Sequence, residues 1–182
     1  MKITKTKIKD LLIIEPDIFG DERGFFMETW NHKRFLEFGI DFLPIQQNES
    51  ISVYGVIRGL HYQLAPYSQA KLVRVVVGNV LDVAVDLRKN SPTFGKYVTV
   101  ELSSENKKQF LIPRGFAHGF SVLSEIAVFQ YFCDNFYNKD AEKGILFNDE
   151  FFNINWQIPE LQQIISEKDK NNKLFNNAEI NF

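Results

Sequence analysis

An all-β fold of the sandwich or barrel type is predicted by three features of the 182-residue sequence. Short runs rich in valine, leucine and phenylalanine follow one another through the middle of the chain. Turn signals built on glycine, asparagine and proline separate them, and helical periodicity is confined to brief stretches. Many short strands at close spacing mark sandwiches and barrels.

In chain order, residues 31–38 come first: two helical turns, with Asn31 as the cap and Gly39 as the stop. Residues 72–77 and 80–87 flank Gly78-Asn79, a two-residue step that signals a tight hairpin. In the second run Leu81, Val83, Val85 and Leu87 share one face, while Asp82, Ala84 and Asp86 share the other. One face is therefore apolar and the other mixed. Ser91-Pro92-Thr93-Phe94-Gly95 reads as a turn leading into a strand over 97–102. Residues 110–112, 119–123 and 126–133 continue the strand pattern. Residues 159–165 predict a second short helix, and the asparagine- and lysine-rich segment 168–181 an arm that packs or frays. No repeat or linker divides the chain, so residues 1–182 are expected to form one domain.

Composition narrows the function classes. Hydrophobic residues make up 45% and charged residues 24%, the balance of an ordinary soluble domain. A net charge of -2 offers nothing to a nucleic acid or an anionic membrane. Cys133 is the single cysteine, which precludes an intrachain disulfide and suits a reducing cytoplasm. The lysine-rich start is not followed by a signal-type apolar segment, and no window is long enough to span a bilayer. A cytoplasmic protein is expected. The 18 phenylalanines, six tyrosines and two tryptophans must mostly fill a core or a subunit interface.

The chemistry-bearing residues cluster around glycines. His61 lies in Arg58-Gly59-Leu60-His61-Tyr62-Gln63 and His118 in Pro113-Arg114-Gly115-Phe116-Ala117-His118-Gly119-Phe120, both within strand-like sequence. Histidine is the side chain best suited to moving protons near neutral pH. Parity in 126–133 sets Phe129, Tyr131 and Cys133 on one face. If that face lines a barrel interior, Tyr131 offers a phenol there, and Lys71 can return a positive charge to the same cavity. A base, a cation and a weak acid together suit proton abstraction beside a carbonyl, with the cation holding the developing enolate oxygen. Each residue also has a plainer reading. His61 suits a structural hydrogen bond, Lys71 a solvated strand end, and Tyr131 a core ring with its hydroxyl at the edge. A metal would need more ligands than His61 and His118, since the position two after His61 is Gln63 and the third histidine, His32, sits on the predicted helix. Composition still leaves a site of two histidines and one carboxylate open. Arginine beside glycine at Arg23-Gly24 and Arg58-Gly59 suggests an anionic ligand, though the first pair also fits an ordinary charged turn.

These motifs together resemble those of the dTDP-4-dehydrorhamnose 3,5-epimerase family. The matching residues are Asp21-Glu22-Arg23-Gly24-Phe25-Phe26, Gln46-Gln47-Asn48, the His61 and His118 segments, Lys71-Leu72-Val73-Arg74, Asp82-Val83-Ala84-Val85-Asp86-Leu87-Arg88 and Ser91-Pro92-Thr93-Phe94-Gly95. They run in the family's order over residues 13–169. The resemblance implies a cupin-type jelly-roll β-barrel with a few short peripheral helices, paired into a homodimer. It implies a dTDP-4-keto-6-deoxy sugar as substrate, inverted at carbons 3 and 5, with no cofactor and no metal. His61 becomes the base with Asp169 as its orienting carboxylate, Tyr131 the acid on the opposite face, and Lys71 the neighbour of the keto oxygen. Arg58 and His118 match pocket positions. Arg23, Glu28, Gln46, Asn48, Glu142 and Lys168 match further substrate contacts, some from a partner subunit, and Tyr137 an aromatic stacked on the thymine base. Three departures stand out: Phe147 where the family usually has tryptophan, Arg114 where an acidic or neutral residue is common, and a variable loop over 67–70. Relatives on this scaffold that invert one carbon, or act on other nucleotide sugars, share the motifs. A metal-dependent cupin and a non-catalytic sugar-binding cupin are the readings from other classes.

Overall fold

Strand pairing explains most of the chain. A computed structural model describes residues 1–182. Two antiparallel pairs open it: β1 (Lys2–Lys5) with β2 (Leu12–Glu15), and β3 (Ile18–Asp21) with β4 (Gly24–Met27). Helix α1 (His32–Glu37) follows, with the Asn31 side chain accepting the Arg34 N–H at 3.2 Å and Phe35 buried beneath it. The predicted cap and stop are both in place. Eight strands then build the body: β5 (Gln46–Val53), β6 (Val56–Gln63), β7 (Lys71–Val77), β8 (Asn79–Asp86), β9 (Tyr97–Ser103), β10 (Gln109–Ile112), β11 (Phe116–Val122) and β12 (Ile126–Cys133). Short β13 (Glu142–Gly144), β14 (Ile164–Ile165) and α2 (Glu167–Lys170) complete the chain.

One sheet runs β1-β2-β10-β7-β12-β5 and the facing sheet β13-β6-β11-β8-β9, with β14 joining β6. Successive strands from β5 to β8 alternate between the sheets, which makes the body a jelly roll. Between the sheets pack Val73, Val75, Phe110 and Phe129 from the first, and Ala84, Leu102, Phe120 and Val122 from the second. Phe110, Phe116, Phe120 and Phe129 pack here, and other aromatic residues in a second cluster outside the facing sheet. In that cluster Val83, Val85 and Leu87 meet Phe147, Phe152, Trp156 and Phe175. The wholly apolar face of β8 is therefore covered by the C-terminal segment, while its mixed face of Asp82, Ala84 and Asp86 points into the barrel. Phe147 is core, with its carbonyl accepting the Trp156 indole N–H at 2.9 Å, so the departure from tryptophan is one of packing.

Two expectations need correcting. Gly78-Asn79 does not close a hairpin: β7 pairs with β10 and β12, and β8 with β11 and β9. The step is a corner that carries the chain from one sheet to the other, with the Asn79 N–H donated to Ser124 Oγ at 2.8 Å. Period and turn chemistry look alike in the two cases. Gly78 sits at φ +82°, and a Cβ there would lie 2.0 Å from the Ile126 carbonyl oxygen. Gly78→Ala is expected to cost about 1–3 kcal/mol through strain at this corner. An unchanged urea midpoint would show that the corner relaxes freely.

The second correction concerns residues 159–165. Only Glu160–Gln162 turn, as one 3-10 turn, and Ile164–Ile165 are extended, pairing in parallel with Val56–Ile57. The Ile164 N–H donates to the Gly55 carbonyl at 2.8 Å, so the sheet edge outcompetes the helix. The final segment packs: Phe175 is buried, and the Lys89 N–H donates to the Phe182 carbonyl at 3.1 Å.

Candidate active site

The site begins with a bulge. Opposite β11, His118 faces His61 but Phe120 faces Arg58, so three steps on β6 answer two on its partner. One extra residue in a strand reverses side-chain parity past it. Arg58 and His61, an odd number of positions apart, thus both point into the barrel, while Ile57, Leu60 and Tyr62 pack outward. The bulge needs backbones in close approach. A Cβ on Gly59 would lie 2.6 Å from Gly119 Cα, and one on Gly119 2.7 Å from the Arg58 carbonyl oxygen. The glycines flanking the two histidines are there for this contact.

His61 Nε2 lies 2.6 Å from Asp169 Oδ1. Asp169 arrives from the far end of the chain because β14 lies along β6 and aims the following residues at it. Ser166 caps α2, its hydroxyl accepting the Asp169 N–H at 3.1 Å, and the second carboxylate oxygen accepts the Gly59 N–H at 3.4 Å. Asp169 is only 3% exposed. Burial opposes its ionisation, but the His61 hydrogen bond and charge outweigh it and hold the carboxyl below its ordinary value. One imidazole nitrogen is therefore engaged by a carboxylate and the other has no protein partner.

Facing this dyad across the interior, the other sheet supplies the cation and the phenol. Register places Cys133 beside Lys71, Tyr131 beside Val73 and Asn48 beside Tyr131, so all of these share the inner face. Lys71 Nζ is 5.8 Å from the centre of the Tyr131 ring. Burial lowers the Lys71 ammonium below the usual lysine range, offset in part by Asp82 and Glu142. Burial also raises the Tyr131 phenol, which keeps its proton at neutral pH. His118 is buried, its Nε2 2.9 and 3.0 Å from the two Asp82 oxygens, and burial lowers its basicity. Arg58 is steadied by donating Nε to Ser52 Oγ at 3.1 Å.

Around the mouth, Tyr137 is 53% exposed, donates its N–H to Gln46 Oε1 at 2.9 Å and its hydroxyl to Glu142 Oε2 at 2.9 Å. Lys168 Nζ pairs with the same Glu142 oxygen at 2.6 Å. The structure thus brings together His61, Asp169, Lys71, Tyr131, Arg58, His118, Gln46 and Asn48, with Tyr137, Glu142 and Lys168 on the rim. It does not bring in Arg23 or Glu28. Arg23 pairs with Asp21 at the exposed tip of the β3–β4 pair, and Glu28 holds Asn31 and Arg34. Arg114 Nε donates to Asp134 Oδ2 at 2.8 Å, whose Oδ1 accepts the Ala70 N–H, so it braces the chain beside Lys71.

Two positioning residues were not singled out from the sequence. Asp82 holds His118, and its signal was an aspartate facing inward from an apolar strand. Gln63 donates to the Tyr67 carbonyl at 2.7 Å and accepts the Asn138 N–H at 2.6 Å, tying together the loops around Tyr137. It shares the parity of His61. No set of three His, Cys, Asp or Glu side chains is disposed to hold a metal ion.

The chain is similar in sequence and in structure to known proteins. Residues 5–177 match the family model described as dTDP-4-dehydrorhamnose 3,5-epimerase. A Shigella flexneri protein of that name is 57% identical over 180 residues, covering 98% of each chain. The crystal structure of a Legionella pneumophila dTDP-6-deoxy-D-glucose-3,5-epimerase in complex with dTDP-4-keto-L-rhamnose superposes with a TM-score of 0.93 at 51% identity, covering 97% of this chain and 93% of that one. More distantly, a 3'-monoepimerase from Streptomyces bikiniensis in complex with dTDP-quinovose gives 0.86 at 32% identity, covering 93% and 85%.

Proposed function

Because the chain belongs to the dTDP-4-dehydrorhamnose 3,5-epimerase family, we propose that it inverts carbons 3 and 5 of dTDP-4-dehydro-6-deoxy-D-glucose, giving dTDP-4-dehydro-L-rhamnose. The observation that carries the reading is the disposition of two proton-handling groups on opposite walls of one cavity: the His61–Asp169 pair on β6 and Tyr131 on β12.

The keto group at carbon 4 acidifies the hydrogens on its two neighbours. His61 takes one of them, and the electron pair moves onto the carbonyl oxygen to give an enolate. Asp169 stabilises the imidazolium that forms and fixes the ring's orientation. Lys71 and the pocket hydrogen bonds hold the enolate oxygen. Tyr131 then delivers a proton from the opposite face, which inverts that carbon; solvent returns a proton to the phenolate and takes one from the imidazolium, and the cycle repeats at the other carbon. The ketone itself supplies the acidity, so the scheme uses no cofactor and no metal. Arg58, His118, Gln46, Asn48, Glu142 and Lys168 position the nucleotide sugar, and Tyr137 stacks on the base.

The same reading extends to a cytoplasmic homodimer in which residues 1–182 act as one unit. The β3–β4 pair supports the dimer: it projects Arg23 away from this chain's own cavity and exposes Phe19, Phe25 and Phe26. Such a hairpin suits insertion into a second copy, where Arg23 and Glu28 would complete the partner's site.

NMR of dTDP-4-keto-6-deoxyglucose incubated with the protein in deuterated water tests the reading. Deuterium and inverted configuration at both carbons are expected. Change at one carbon alone would make this a mono-epimerase, and no exchange at either would overturn the assignment.

A further inference from the structure

A second pocket lies on the far side of the facing sheet, at the free edge of β9, and shares no residue with the His61 cavity. It has a volume of about 640 Å³ and is lined by Lys7, Phe94, Lys96, Tyr97, Thr99 and Phe151 among others, with no acidic residue. Its wall carries two exposed aromatic rings. Phe151 is 56% exposed and Phe94 37%. Phe175 backs both, with ring centres 4.7 Å from Phe151 and 5.3 Å from Phe94. Phe152 locks Phe151 edge-on at 5.1 Å. Gly95 admits these rings, since a Cβ there would stand 3.1 Å from the Phe151 ring. A ring held on three sides with one face in water loses little entropy when a ligand covers it.

The two cations are uncommitted. Lys7 and Lys96, like most lysines of the chain, have no carboxylate partner. The chain as a whole carries a net charge of -2, so a pocket with two free ammonium groups and no acid is a local departure in sign. Flat exposed aromatics beside free lysines suit a planar ring that carries an anion: stacking holds the ring and the ammonium groups hold the charge.

We propose that this pocket binds a nucleotide at a second site, its base on the exposed face of Phe151 and its phosphates toward Lys7 and Lys96. Thr99 adds a hydroxyl within the same wall. An aromatic carboxylate shares the chemistry of ring and anion but carries less charge, and two ammonium groups favour the phosphates.

Amide NMR of the isotopically labelled intact protein provides the test, with ADP, dTMP and phenylacetate as probes. A nucleotide is expected to give saturable shifts at Lys96, Tyr97, Thr99 and Phe151. Phe151→Ala is expected to weaken that binding about tenfold, the scale of one lost base–aromatic stack. Lys96→Glu, a change at an exposed position that leaves the core intact, is expected to weaken it by at least as much. Neither variant is expected to alter shifts in the His61 cavity or the epimerisation rate. Phenylacetate binding as tightly as ADP would overturn the nucleotide assignment. So would the absence of saturable shifts at these residues with either nucleotide, or equal affinity in the Lys96→Glu variant.

Discussion

His61→Asn is expected to abolish epimerisation and the exchange of substrate hydrogens with solvent, with the fold left standing. A positioned general base contributes about 10²–10⁴ in rate. Asparagine has no basic nitrogen, so the whole of that factor goes. The folded state loses less. The His61 side chain is 30% exposed and lies outside the apolar clusters. Its main stabilising contact is the bond from Nε2 to Asp169, which the shorter asparagine side chain does not reach, while the Gly59 N–H still donates to that carboxylate. A change in stability of about 1–3 kcal/mol is expected. Deuterium incorporation together with a thermal melt checks both halves. Wild-type exchange in a well-folded variant would remove His61 from the base role.

The legibility of the fold tracked how local each signal was. The sequence predicts strand β12 with its observed bounds, because the alternation and the β-branched and aromatic residues lie within it and turns flank it. Helix α1 was equally local: its cap, buried Phe35 and glycine stop lie within nine residues of sequence, 31–39. The Gly78-Asn79 step failed for the opposite reason. Whether such a turn closes a hairpin or passes between sheets depends on which edges are free at β10, β11 and β12, and those are decided tens of residues later.

The site was legible by another route. Spacing and parity offered His61, Lys71 and Tyr131 as a candidate set, but no spacing rule brings Asp169 to His61 across 108 positions. That pairing came from the family resemblance, and the structure supplies its physical means in the β14 pairing and the Ser166 cap. The bulge at Gly59 was hidden as well. Simple alternation would put Arg58 and His61 on opposite faces, and only the register against β11 reverses this. Arg23 and Glu28 mark the boundary of what one chain contains. They match family contacts in sequence yet lie outside this chain's own cavity, which is why their role belongs to the proposed dimer.

Tyr131→Phe separates abstraction from delivery, and its expected result differs in kind from that of His61→Asn. The ring keeps its place, 6.1 Å from Phe129 and facing Val73, so packing is preserved. Loss of the hydroxyl beside Asn48 costs about 1 kcal/mol. His61, Asp169 and Lys71 are untouched, so the enolate still forms. The imidazolium that took the proton remains as a proton source on the same face. Return from that face restores the starting configuration, and in deuterated water it leaves deuterium behind. The variant is therefore expected to wash hydrogen out of the substrate while forming inverted product at least about 10²-fold more slowly. Burial holds the wild-type phenol protonated through neutral pH, so this difference should persist across the neutral range. Doubly inverted product at the wild-type rate would show that another group, or water, serves as the acid. Loss of exchange along with inversion would mean instead that the phenol is needed to form the enolate, which would move Tyr131 to the first half of the reaction.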